Sequence, residues 1–298
     1  MCGIVGLLMK NPAWDERLGE LLVPMLVGMT ERGPDSAGMA VFGKPVAGET
    51  RLSFFHLHGE PDWHAVNTAL ADAVPGTHRI EAIGQHAVIF THTDGEAIRA
   101  LLKERFPGIV PLSAGSRIQL YKDIGTPADI AARYHFDDFT GTHAVGHTRM
   151  ATESAVTPDR AHPFTAGRDF CLVHNGSLSN PHLVRRQLEP LGIHFETDND
   201  TEAACRFLEW RMREGDAVDA AIEKGFEALD GFFTFLIGTA DGLALVRDPF
   251  ACKPAIVAET DDYVAISSEF RSLAHLPGVS HAKLFEPQPR TIYHWSRA

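Results

Sequence analysis

MCGIVGLL, residues 1–8, poses the first question of this chain. From Gly3 onward the run is apolar and without alternation, which predicts a buried strand over 3–9. A cysteine stands at its entrance. Inside a core strand, cysteine is a small inert hydrophobe. If Met1 is removed, however, Cys2 carries both a thiol and a free α-amine on one Cα. An ordinary thiol titrates near about 8.5 and a chain amine at about 7.7–8.0, so the amine can take the thiol proton near neutral pH. The small side chain of Cys2 favours that removal, and the remaining sequence has to choose between the two readings.

The chain has 298 residues, enough for about two domains or one large one. It is 44% hydrophobic and 22% charged, an ordinary globular balance. Its 27 Lys and Arg against 39 Asp and Glu give a net charge of −12, which argues against binding nucleic acid by neutralising phosphates. No basic cluster suits an anionic membrane surface, and apolar stretches such as FFTFLIG fall well short of the about 20 residues that span a bilayer. No basic segment precedes an apolar one at the N-terminus, so a cytoplasmic chain with reduced thiols is expected. The cysteines Cys2, Cys171, Cys205 and Cys252 are widely spaced and form no CxxC, so no metal or iron–sulfur framework is expected.

Strand patterns fall at 3–9, 38–43, 143–148, 170–174, 232–238, 243–247, 254–258, 262–267 and 290–295. Helical patterns fall at 15–30, 180–190, 201–213 and 216–229. Strands follow one another toward the C-terminus, with Asp241-Gly242 as a turn between two of them. This succession predicts a layered α+β protein in which antiparallel sheets stack beneath helices. Residues 44–135 stand apart, with helical DWHAVNTALADAV and DGEAIRALLKERF among short strands, and read as an inserted α/β subdomain of the domain over 2–298.

Five stretches hold more Gly, Asn, Asp and Arg than packing needs: MCGIVG at 1–6, ERGPDSAG at 31–38, GHTRMATES at 146–154, HNGSLSN at 174–180 and TDNDTEA at 197–203. Arg149 offers a planar fork for a carboxylate, and Thr152 a further donor. His147 reads as a core histidine satisfied by a hydrogen bond. The Asn175 amide and the Gly176 backbone N–H can converge on an oxyanion, although Asn-Gly is equally a turn signal. Asn199 and Glu202 have capping-box spacing, and Asp200 at the helix entrance can either complement the dipole or accept from an ammonium. Taken one at a time, the structural readings prevail. As a set, a nucleophile, an oxyanion pair, a carboxylate fork and an ammonium acceptor are what hydrolysis of an amino-acid side-chain amide requires.

MCGIVG, RGPDS, GHTR-AT, NG and DTE in this order resemble the class II, N-terminal-nucleophile glutamine amidotransferase domain over most of the chain outside 44–135. The resemblance implies a four-layer αββα sandwich and glutamine as substrate. It implies Cys2 as nucleophile, Asn175 and Gly176 as oxyanion hole, Arg149 and Thr152 on the substrate carboxylate, and Asp200 on its α-ammonium. RDPFACKP at 247–254 resembles a late structural turn of the family. Met150 and Glu153 stand where many members carry Trp and His, so any role of that His does not transfer. GTHAVGHTRMATESAV, the insertion and YKDIG are most similar to the stand-alone amidotransferase subunits of split glutamate synthases, N-methylglutamate synthase above all. That implies a synthase partner subunit carrying flavin chemistry, together with an iron–sulfur protein, and no cofactor in this chain. Two other readings stay open: an N-terminal-nucleophile amidase acting on a different amide, and a non-catalytic subunit that senses glutamine.

Overall fold

The computed structural model describes residues 2–150 and 157–297, and the structural statements below concern those residues. An antiparallel seven-stranded sheet runs in the order β15 (Lys283–Phe285), β13 (Ile256–Glu259), β14 (Tyr263–Ser267), β1 (Gly3–Met9), β8 (His143–Arg149), β2 (Ser36–Phe42) and β7 (Ile118–Ile124). A five-stranded sheet runs β16 (Ile292–Ser296), β12 (Gly242–Arg247), β11 (Gly231–Gly238), β10 (Cys171–Leu178) and β9 (Phe164–Thr165).

The lack of alternation in β1 has a simple cause: both of its faces are covered. Ile4 and Leu8 point into the space between the sheets, where they meet Val173, Leu236 and Leu243. Val5, Leu7 and Met9 point the other way, onto helix α1 (Leu18–Val27) through Leu22, Met25 and Leu26. The second sheet is covered likewise. Leu172, Phe235 and Val246 pack on helices α5 (Pro181–Leu188), α6 (Asp200–Arg213) and α7 (Val218–Ala228) through Val184, Leu208 and Ile222. The stacking order is therefore helix, sheet, sheet, helix, as the sequence led us to expect. Gly6 fits this close contact because a Cβ there would lie 2.7 Å from Leu236 Cδ2.

Within 44–135, a four-stranded sheet in the order β4 (His78–Ile83), β5 (His86–Thr91), β3 (Thr50–His56) and β6 (Ile109–Gly115) packs under helices α2 (Trp63–Ala73) and α3 (Gly95–Arg105). Its own core joins Leu52, Phe54, Val66, Leu70, Ile98 and Leu102. The remainder of that range behaves differently. β7 is the edge of the seven-stranded sheet, and helix α4 (Pro127–Arg133) buries Ile130 and Ala131 in the core beside α1. The turn from β6 to β7 is anchored by Asp169, whose carboxylate accepts from the backbone N–H groups of Ser116, Arg117 and Ile118 at 2.8, 2.8 and 3.0 Å.

Three local expectations are corrected. The helix read over 15–30 begins as a 3-10 turn at Pro12–Arg17 and ends at Val27, three residues after Pro24 removes one backbone donor. The strand read over 170–174 runs on to Leu178, because Asn175 and Gly176 keep their ladder partners Thr234 and Phe233 instead of turning. The capping box is not formed: Asn199 accepts from Thr201 N at 2.8 Å, but Glu202 turns away to Glu196 N and Thr197 N. The reason is that Asn199 N already donates to Thr197 Oγ1 at 3.2 Å.

Leu236 is fully buried between the two sheets. Truncating Leu236→Ala is expected to cost about 2–5 kcal/mol. Phe250→Ala, at a side chain 72% exposed, should stay within about 0.5 kcal/mol. Urea denaturation midpoints of the two variants check the contrast.

Candidate functional site

The pairing of β1 decides which residues meet Cys2. Gly3 lies opposite Thr148 on β8, and Ser36 on β2 lies opposite Arg149. One further step along this register sets Cys2 beside Arg149, which is itself 6% exposed. Gly3 is required by close approach, since a Cβ would fall 2.7 Å from both Met29 Cβ and Thr148 Oγ1. Gly33 of ERGPDS serves the same end, for its Cβ would lie 2.5 Å from Arg149 N. Asp35 N donates to Arg149 O at 3.1 Å, so this turn lies against the end of β8.

Cys2 is partly exposed and held by its carbonyl, which accepts from Arg32 Nε at 3.0 Å. Arg32 is in turn fixed by Glu269 at 2.8 Å, and Glu269 by Arg271 at 2.7 Å. Two residues further, Ile4 N donates to Ser268 Oγ and Ile4 O accepts from Ser268 N, each at 3.0 Å. The backbone around Cys2 is therefore fixed, and the residue is partly exposed.

The second sheet brings up the remaining groups. His147, two residues before Arg149, donates from Nε2 to His174 O at 3.1 Å, which aligns β8 with β10 just ahead of Asn175. Asn175 is 2% exposed, and its Nδ2 is buried without a hydrogen-bond partner. A buried amide donor of that kind carries a desolvation cost until an acceptor arrives. Gly176 sits at φ +152, where a Cβ would come within 2.0 Å of Phe232 O. Asp200 opens α6, and its Oδ2 accepts from Leu178 N at 2.8 Å, tying the helix to the end of β10. Its Oδ1 has only longer neighbours, Thr201 Oγ1 at 3.4 Å and His174 Nδ1 at 3.9 Å.

Sequence reasoning missed the layer beneath these groups. His162 Nε2 and His174 Nδ1 are both hydrogen-bonded to Thr201 Oγ1, at 2.9 and 3.0 Å, and His147 stacks on His162 with ring centroids 4.1 Å apart. Burial pushes the His147 ring down to about 3 and those of His162 and His174 below the ordinary imidazole range, so all three are neutral at physiological pH. The stack is a polar spacer that joins both sheets to the start of α6. His147 thus forms the core hydrogen bond expected of it. No His, Cys, Asp or Glu cluster with metal-binding geometry occurs among the described residues. Thr152 and Glu153 lie outside them.

Elsewhere in the core, His86 and His143 are likewise pushed down to about 4 by burial. Above the unfolded imidazole value of about 6.5 these rings are neutral in both states. Below it the unfolded chain takes up protons that the folded chain refuses, so stability falls with pH by up to about 1.4 kcal/mol per unit for each ring. A denaturant midpoint clearly lower at about pH 5 than at about pH 7.5 is expected. A flat profile over that interval would mean that the rings are not buried as described.

The family described as glutamine amidotransferase domain matches residues 147–275, from the end of β8 to just past β14. The chain is 46% identical over 297 residues to the glutamine amidotransferase-like protein GlxB of Rhizobium meliloti (strain 1021), covering 99% of this chain and 98% of that protein. It is 30% identical over 304 residues to a putative glutamine amidotransferase of Methanothermobacter thermautotrophicus, covering 98% and 99%. The fold is similar to that of the glutamine phosphoribosylpyrophosphate amidotransferase from B. subtilis, with a TM-score of 0.61 at 19% identity. That likeness covers 97% of this chain but 46% of the B. subtilis chain, and at such low identity it speaks to fold alone.

Proposed function

The chain belongs to the glutamine amidotransferase family, and from that premise we propose that it hydrolyses the side-chain amide of glutamine with Cys2 as nucleophile. What supports this reading is the strand register at Cys2 and the unpartnered donor on β10. Extending the Gly3–Thr148 register by one step sets the partly exposed Cys2 opposite Arg149, and the unpartnered Asn175 Nδ2 and Gly176 lie on the strand that Asp200 ties to α6.

In this reading Met1 is removed, and the α-amine of Cys2 accepts the proton of its own thiol. The Arg149 fork takes the α-carboxylate of glutamine, with Thr152 as a second donor, and Asp200 Oδ1 accepts from the α-ammonium. The thiolate attacks the amide carbon. The C–O double bond opens to an oxyanion held by Asn175 Nδ2 and Gly176 N–H. The C–N bond then breaks, the nitrogen leaves as ammonia with the proton held by the Cys2 amine, and a γ-glutamyl thioester remains. Water hydrolyses the thioester, returning the thiol and releasing glutamate. The ammonia passes to a synthase subunit of the N-methylglutamate synthase or split glutamate synthase kind. Support for that acceptor is the sequence resemblance alone.

Cys2→Ala should abolish glutaminase turnover, and Asn175→Ala should lower kcat about 10²–10³-fold with a small change in KM. Asp200→Asn should act mainly through a raised KM for glutamine, and should lose less against an analogue lacking the α-ammonium. Glutamate release by the purified chain measures all three, and retained turnover in Cys2→Ala would remove the assignment.

A further inference from the structure

Between the four-stranded sheet and the main body lies a cavity of about 760 Å³. None of Cys2, Arg149, Asn175, Gly176 and Asp200 lines it. Its size falls within the range of about 300–1,000 Å³ typical of small-molecule sites. One wall is apolar, built by Phe54, Leu102, Ile109, Leu112 and Phe164. Arg99 and Lys103 of α3 and Arg206 of α6 bring cations to it from both sides.

The charges in the wall are unevenly satisfied. Glu202 uses both carboxylate oxygens, accepting from Glu196 N at 2.8 Å and from Thr197 N and Thr197 Oγ1, each at 2.7 Å. Lys122 donates to the carbonyls of Asp159, Ala161 and Pro163 at 3.1, 2.8 and 3.5 Å. Asp159 and Glu196, the latter with its side chain 65% exposed, line the cavity as well. Glu196 reaches Arg206 at 3.7 Å. Arg99 also pairs with Glu96 at 2.9 Å, and Arg99 Nε and Arg206 Nε are buried without a hydrogen-bond partner. Cationic side chains beside an apolar wall suit an acceptor attached to an apolar body.

We propose that this cleft binds an organic anion, a carboxylate, phosphate or sulfonate on an aromatic or aliphatic body, and that its occupancy is felt at the glutamine site through α6. Arg206 Nη2 reaches Glu202 at 3.4 Å, and Glu202 holds the turn at 196–197 just ahead of Asp200. An anion that fixes Arg206 also fixes Glu202 and the turn leading into the residue that accepts the ammonium. The coupling rests on the function proposed above, whereas the binding site does not.

Anilinonaphthalene sulfonate, an aromatic sulfonate whose fluorescence rises in apolar surroundings, is the probe, used on the full chain. Saturable binding to one site is expected, weakened about tenfold or more in the Arg99→Glu, Lys103→Glu double variant, with far-UV circular dichroism unchanged. Saturating probe should lower the KM for glutamine about fivefold and leave kcat nearly unchanged. Absent or non-saturable binding, or equal affinity in the double variant, overturns the site. Binding with an unmoved KM overturns the coupling. Because fluorescence reads the cleft without turnover, failure of the glutaminase reading would leave the first result intact.

Discussion

The register of β1 is the constraint on which the rest depends. The strand is paired along both edges, with β8 and β14, and covered on both faces, by α1 and by the second sheet. A strand so enclosed cannot slip by one residue without turning its whole apolar set the wrong way. Cys2, the residue just before it, is therefore delivered next to the end of β8, which closes with Arg149. Glycines at positions 3 and 33 allow the approach, and the Arg32 guanidinium holds the Cys2 carbonyl.

The second constraint is electrostatic. Neutral histidines fill the space between β8, β10 and the start of α6, so no buried imidazolium pairs with the Asp200 carboxylate. The unpartnered Asn175 Nδ2 has the opposite character, a polar group kept dry and unsatisfied. Buried donors of this kind are rare in native proteins, and they gather where a ligand supplies the missing partner.

Much of this was legible in the sequence because it is written in local patterns. The unbroken apolar run of GIVGLLM signalled burial on both faces, and the consecutive helices and late strands signalled stacked antiparallel layers. Where the local signal misled, a distant partner had prevailed. Asn-Gly reads as a turn, yet Thr234 and Phe233 hold both residues in a ladder. Asn199 and Glu202 read as a capping box, yet Thr197 intercepts both. The histidine stack left no local trace, since its members stand at positions 147, 162 and 174 and meet only through Thr201 and a shared stacking contact. The contact of Arg32 with Cys2 and the cleft behind α6 are likewise products of tertiary folding alone.

The central claim is that sulfur and α-amine act together on one residue. An electrophilic glutamine analogue, reacted with protein from its own cells and located by peptide mass spectrometry, tests it most directly. The account predicts a single γ-glutamyl-type adduct on the Cys2 sulfur of a chain that begins at Cys2, with its amine unblocked. An adduct on the exposed Cys252 instead, or stoichiometric labelling of a chain that still begins with Met1, would contradict it.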